Sequence, residues 1–168
     1  QTAIGHYAGL NNTTGTQTAI GYDAGLNNTT GFQTAIGHDA GYSNTTGAQT
    51  AIGHAAGYSN TTGFQTAIGH AAGQSNTTGT NITVIGHEAG ADLTTGDNVT
   101  ILGQHRGAAG MADTLILATG ATARIRYDTT NGYQLPSASA VAAPAEPSTH
   151  KIQIDIGGTK YNLLATTA

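Results

Sequence analysis

Residues 17–64 read QTAIGYDAGLNNTTGF, QTAIGHDAGYSNTTGA and QTAIGHAAGYSNTTGF, three successive copies of one 16-residue unit. Working outward, the Gly that closes each Ile-Gly or Leu-Gly pair falls at Gly5, Gly21, Gly37, Gly53, Gly69, Gly86 and Gly103. A second Gly keeps step at Gly9, Gly25, Gly41, Gly57, Gly73, Gly90 and Gly107. The spacing is 16 residues four times and then 17 twice, giving seven units of which the last is degraded. Such a unit is too short for the helix pairs of helical repeat proteins, and Thr, Ile, Gly and Asn are poor helix formers. Strands and tight corners remain, and each unit reads as one coil of an all-β, parallel β-solenoid. Stacked at about 4.8 Å, six full coils rise roughly 29 Å.

Alternation along the strand points Thr2 and Ile4 into the coil and Ala3 outward, with Gly5, Gly9, Gly15 and the Asn11-Asn12 pair supplying the corner conformations. The outward position is Ala3, Ala19, Ala35, Ala51 and Ala67, then Val84 and Ile101. A solvent-facing ladder has no reason to be apolar. This face is therefore expected to be buried against other copies of the chain, and three copies about an axis is the economical arrangement for a fibre.

Composition excludes several classes. The 168 residues include no Cys and no Trp, so disulfides and thiolate metal sites are ruled out, and no run of about 18 apolar residues could span a bilayer as a helix. Charged residues are 8% of the chain, Pro occurs three times, and the 25 Gly never recur every third residue as collagen demands. All five basic residues lie beyond position 105, whereas Asp23, Asp39, Glu88, Asp92 and Asp97 precede it. A repeat array without Lys or Arg cannot neutralise phosphates, so neither nucleic acid nor an anionic membrane is an expected partner. The chain opens at Gln1 with neither an initiator Met nor a basic-then-apolar leader, and reads as a segment of a longer protein.

The QTAIG, NITVIG and NVTILG strands, each followed by xxAG or a remnant of it, resemble the NSVAIG-type repeats in the heads of trimeric autotransporter adhesins. TAIGxxAG…NTTG arrays are also similar to those of bacteriophage tail fibres. The resemblance covers about residues 1–107, with a period longer than the adhesins' usual one. It implies a left-handed β-roll assembled as an intertwined homotrimer.

Beyond the shaft of residues 1–107, the segment 108–135 carries TLILA, the alternating ARIRYD and the Asn-Gly turn of DTTNGY, and is expected to form a small β cap. Pro136, Pro144 and Pro147 fall in an Ala/Ser-rich linker over 136–149. Residues 150–168 read as a hairpin tip with Gly157-Gly158 as its loop, placing Ile152, Ile154 and Ile156 beside Leu163, Tyr161 and Thr159 on one apolar face. That face is expected to pack on symmetry mates. The ending resembles the I-x-I-x-I-x-G-x-x-Y-x-L segments that close many phage tail fibres, which favours a phage fibre over an adhesin head.

Chemistry-bearing residues are few. His6, His38, His54, His70 and His87 follow the strand Gly, with Tyr22 in the second coil. The reading takes them as a corner ladder weakened by like charge in acid, expects no metal or cofactor, and leaves His38, His54 and His70 as the residues to test as ligands. Asp23 and Asp39 on consecutive coils have the spacing of a carboxylate pair, but a regular rod offers no cleft, and exposed turn Asp is the plainer account. No nucleophile, P-loop or zinc-protease motif occurs, so the protein is not expected to be an enzyme. Tyr42 and Tyr58 in adjacent coils, and Phe32 and Phe64 two coils apart, suit stacking on sugar rings. The resulting expectation is the distal part of a phage tail fibre in the virion: a homotrimer joined to upstream fibre segments that binds a bacterial surface glycan or outer-membrane receptor. An adhesin head on a bacterial surface is the alternative, and a Thr-rich ice-binding solenoid a more distant one.

Overall fold

In the computed structural model, residues 1–134, 152–156 and 159–163 are described. The linker 136–149 and the Gly157-Gly158 loop lie outside them. The chain divides into two compact units, Gln1–Pro136 and Ser137–Ala168.

The first unit is a β-solenoid with no helix among the described residues, so none is long and apolar enough to cross a membrane. Seven short strands stack in sequence order: β1 (Thr2–Ile4), β2 (Gln17–Ile20), β3 (Phe32–Ile36), β4 (Ala48–Ile52), β5 (Gln65–Ile68), β6 (Ile82–Ile85) and β7 (Val99–Leu102). All pair parallel and in register, so Thr18 lies against Thr34, Ala19 against Ala35 and Ile20 against Ile36. The repeat length sets this register, because each 16-residue circuit returns the chain to the same point one strand spacing higher. β8 (Thr114–Thr119) continues the parallel stack on β7, and β9 (Thr122–Asp128) and β10 (Gly132–Gln134) add to the same sheet antiparallel. In the second unit, β11 (Ile152–Ile156) pairs antiparallel with β12 (Thr159–Leu163), bringing Ile152 opposite Leu163 and Asp155 opposite Lys160.

The side-chain alternation is the reverse of the expected one. Ala19, Ala35, Ala51, Ala67, Val84 and Ile101 are completely buried inside the coils of the single chain, and Ala3 is exposed only because it belongs to the first coil. Thr18, Thr34, Thr50 and Thr66, with Ile20, Ile36, Ile52 and Ile68, stand on the outer face. The reason is thickness. The strand is backed by Ala24, Ala40, Ala56, Ala72 and Ala89 from the opposite side of each coil, all fully buried in the same core. In the coils from Ala19 to Ala67 small side chains meet from both walls, and the wall-to-wall fill grows only in the last coils, where Val84 and Ile101 take the same position. The Ala ladder therefore cannot be an interface between subunits.

Polar side chains fill the rest of this narrow interior. Gln17 Nε2 donates to the Gly25 carbonyl at 2.6 Å across its own coil and to Gln33 Oε1 at 2.7 Å in the next, and Gln33 and Gln49 repeat the pattern. Asn28, Asn44 and Asn60 each donate to the carbonyl three residues on, at 3.0, 2.9 and 2.9 Å. Buried amides remain affordable only because both ends are satisfied in this way. In the last coils the same positions turn apolar: Ile82 and Val99 replace Gln, and Leu93 replaces Asn.

Corner geometry also departs from expectation. Left-handed backbone occurs at the strand Gly, two residues later at Asp23, Asp39, Ala55, Ala71 and Glu88, and at the second Gly, and not at the Asn pair or at Gly15. Gly25 suits its corner on two counts: its φ is +56°, and a Cβ there would lie 1.8 Å from Gln17 Nε2, which is itself hydrogen-bonded to the Gly25 carbonyl. Gly15 is required for space, a Cβ meeting the Gly31 carbonyl oxygen of the next coil at 2.5 Å.

Overfilling the interior tests this assignment. Ala51→Ile is expected to destabilise the chain by about 1–3 kcal/mol, while Thr50→Val on the outer face changes stability by less than about 0.5 kcal/mol. Thermal melts of the two variants, with the order reversed, would return Ala51 to the outside.

Candidate functional site

Two surfaces of the solenoid carry side chains with binding chemistry. The first is the outer strand face. On it stand a Thr ladder (Thr18, Thr34, Thr50, Thr66, Thr83 and Thr100) and an Ile/Leu ladder (Ile20, Ile36, Ile52, Ile68, Ile85 and Leu102). Ile85 and Leu102 are 38% and 39% exposed. No charged residue falls in strands β2–β7. Phe32 opens β3 and Phe64 immediately precedes β5, with Ala48 between them at the start of β4, and all three line a shallow groove of about 630 Å³ that Thr34, Thr50 and Thr66 also line. The two rings are the most exposed aromatic side chains there, at 66% and 56%.

The second surface is the corner that follows each strand. The strand Gly turns the chain outward, so the next side chain from every coil projects into solvent directly above its counterpart. His6, Tyr22, His38, His54, His70 and His87 form one continuous stack with ring centroids 4.9–5.1 Å apart and planes within 7–11° of parallel. The following residue is left-handed, with φ of 56° at Asp39, which swings its carboxylate back to the ring before it. Asp39 Oδ2 lies 2.9 Å from His38 Nδ1. Three residues further on, Tyr42 and Tyr58 stack at 4.8 Å and 9°. Burial, and then the negative charges of Tyr42, Asp39 and Asp23, push the Tyr58 phenol above its usual range.

The structure thus brings Tyr42 and Tyr58 together beside Asp39, and sets Phe32 and Phe64 apart from them on the strand face. His38, His54 and His70 are consecutive rungs of one stack. Sequence spacing located the rungs but missed the contact of Asp39 with His38, because that contact depends on a left-handed Asp.

At the C-terminal end of the array a charge cluster replaces the ladder. Arg106 donates Nε and Nη2 to the two Asp92 oxygens at 2.8 and 2.7 Å, and Nη1 to Glu88 Oε2 at 2.7 Å. The Arg106 hydrogen bond holds the Asp92 carboxyl below the usual carboxylate range. His105 accepts the Gly107 N–H at Nδ1, 3.0 Å away. Desolvation and then the charge of Arg126 hold this imidazole below its ordinary value.

Comparison with protein-family models, with curated protein sequences and with solved structures found no match to this chain. Any functional reading therefore rests on these two surfaces.

A depressed imidazole leaves the unfolded chain holding more protons than the folded one, so stability falls as pH drops through about 6.5 and levels off below the folded value. Melts between pH 8 and pH 5 are expected to show this loss. His105→Asn, which keeps an acceptor for the Gly107 N–H but does not titrate, reduces it. An unchanged pH profile in that variant would remove His105 as the source.

Proposed function

We propose that the chain is a structural and receptor-binding segment of a homotrimeric fibre, of the kind found in phage tails, that attaches to a bacterial surface glycan or outer-membrane receptor. The observation that carries the reading is the outer strand face. Six coils present unbroken Thr and Ile/Leu ladders, without a charge, on one outward-facing parallel sheet. Exposed apolar surface of this extent and regularity marks an interaction site. Its uniform repeat suits a partner with the same repeat, which a second and third copy of the chain supply. The interface thus moves from the Ala ladder to the Thr/Ile ladders one residue away along each strand. Phe32 and Phe64 then border that interface, and the receptor-contacting surface is the corner with Tyr42 and Tyr58. Stacked aromatic rings offer apolar faces to sugars, and three copies raise avidity for a repeating glycan through effective concentration. A bacterial adhesin head, displayed on a cell surface, would use the same two surfaces.

A second reading is favoured by the same face. An outward-facing, half-buried Thr ladder at one strand spacing presents a regular array of hydroxyl and methyl groups, which is the chemistry of ice binding. Oligomeric state separates the two, because a buried ladder cannot meet ice.

Light scattering on a sizing column is expected to give a mass near three times the 16.8 kDa of the chain. Ile52→Lys, which places a charge in the middle of the Ile ladder, shifts it to the single-chain mass. Tyr42→Ala with Tyr58→Ala leaves the mass unchanged and reduces binding to a glycan array or to bacterial cells. A monomeric native protein overturns the fibre reading and directs attention to ice-recrystallisation inhibition.

A further inference from the structure

We propose that His38, Asp39 and His54 form a binding site for a divalent transition-metal ion of the zinc class. One ligand atom from each of these residues lies within 4.8 Å of the other two, and both rings are solvent-exposed. Imidazole nitrogen with one carboxylate is a donor set that zinc accepts, with water completing a tetrahedron.

The Asp39 contact is what separates this pair of rungs from the rest of the ladder. A carboxylate oxygen 2.9 Å from His38 Nδ1 sets two donors of the group side by side, close to the spacing of about 3.4 Å that a tetrahedral zinc needs, so an ion bound there would take the place of the Nδ1 proton. No other rung has this help. His6 is followed by Tyr7, His54 by Ala55 and His70 by Ala71, and Asp23 follows Tyr22 instead of a histidine. His87 is followed by Glu88, but that carboxylate is held by Arg106 at 2.7 Å. Among the described residues the grouping of two histidines and a carboxylate occurs only here.

Geometry requires a small adjustment. Stacked rings send their lone pairs outward side by side, and tetrahedral zinc with bonds of about 2.0–2.1 Å needs donor atoms about 3.4 Å apart. The His38 side chain is 51% exposed, so its ring can turn about the Cβ–Cγ bond toward His54 without disturbing the core. Binding would then clip the coil that holds His38 to the coil that holds His54. This site is independent of the fibre reading, since it needs only the single chain.

Calorimetric titration of the metal-free protein with zinc chloride at pH 7.5, and with magnesium chloride as the control, tests the assignment. One zinc ion per chain is expected, with no magnesium uptake and a rise in melting temperature. His54→Ala and Asp39→Asn weaken zinc binding by at least about 10-fold, and His70→Ala changes it less than about 2-fold. Imidazole nitrogen shifts in the native protein provide a readout that needs no variant: zinc moves His38 and His54 and leaves His87 in place. Absence of zinc uptake overturns the proposal. So does a loss in His70→Ala equal to that in His54→Ala, which would assign zinc to the ladder at large.

Discussion

The structure depends on the in-register parallel ladder that joins each coil to the next. A 16-residue circuit that closes on itself places every side chain above its counterpart, about 4.8 Å away. Whatever is placed at one position is therefore placed everywhere along the stack. Side chains that tolerate self-stacking survive: Gln, which donates to the next copy, and the buried Asn, which donates to the preceding one; Thr, whose hydroxyl reaches the next coil's carbonyl, as Thr29 does to Thr45 at 2.6 Å; and flat imidazole or phenol rings. Acidic residues are scarce for the same reason, and where Glu88 and Asp92 do occur near the end of the array, Arg106 closes over both.

A second constraint follows from how little the circuit encloses. Opposite walls of a coil are close enough that Ala meets Ala, and the core gains its polar fill from amides that are satisfied both across the coil and along the stack. Toward the C-terminal end Val84, Leu93, Val99, Ile101 and Ile116 take over from the amides as an apolar core. That change coincides with the two 17-residue units and with the switch from parallel stacking to the antiparallel pair β8–β9. An apolar plug at the end of an amide-rich stack gives the array a terminus that further copies cannot simply extend.

The exterior inherits the same repetition, and this is where binding chemistry arises. Outer Thr and Ile ladders make a surface whose natural partner is another repeat. The corner makes a stack of rings whose rungs are nearly equivalent, so that specificity must come from the few positions that vary. Asp39 is one such position. By standing left-handed after His38 it converts one rung of a uniform ladder into a local grouping of three donors.

Much of this was legible in the chain itself. Repeat length, coil count, the parallel stacking and the ladders of His, Tyr and Thr follow from the spacing of Gly5 through Gly103, because a covalent period becomes a spatial one when the strands pair. The alternation of QTAI was legible too, but not its sign: two-residue periodicity separates Thr and Ile from Ala without saying which set faces inward. Only the tertiary structure decided that, by packing Ala24 and its equivalents behind the strand so that the Ala set, and not Thr and Ile, closes the core of each coil. It likewise decided that Asp39 turns back onto His38, since left-handed backbone at this corner recurs at Ala55, Ala71 and Glu88 and is thus imposed by the coil's closure whatever the residue.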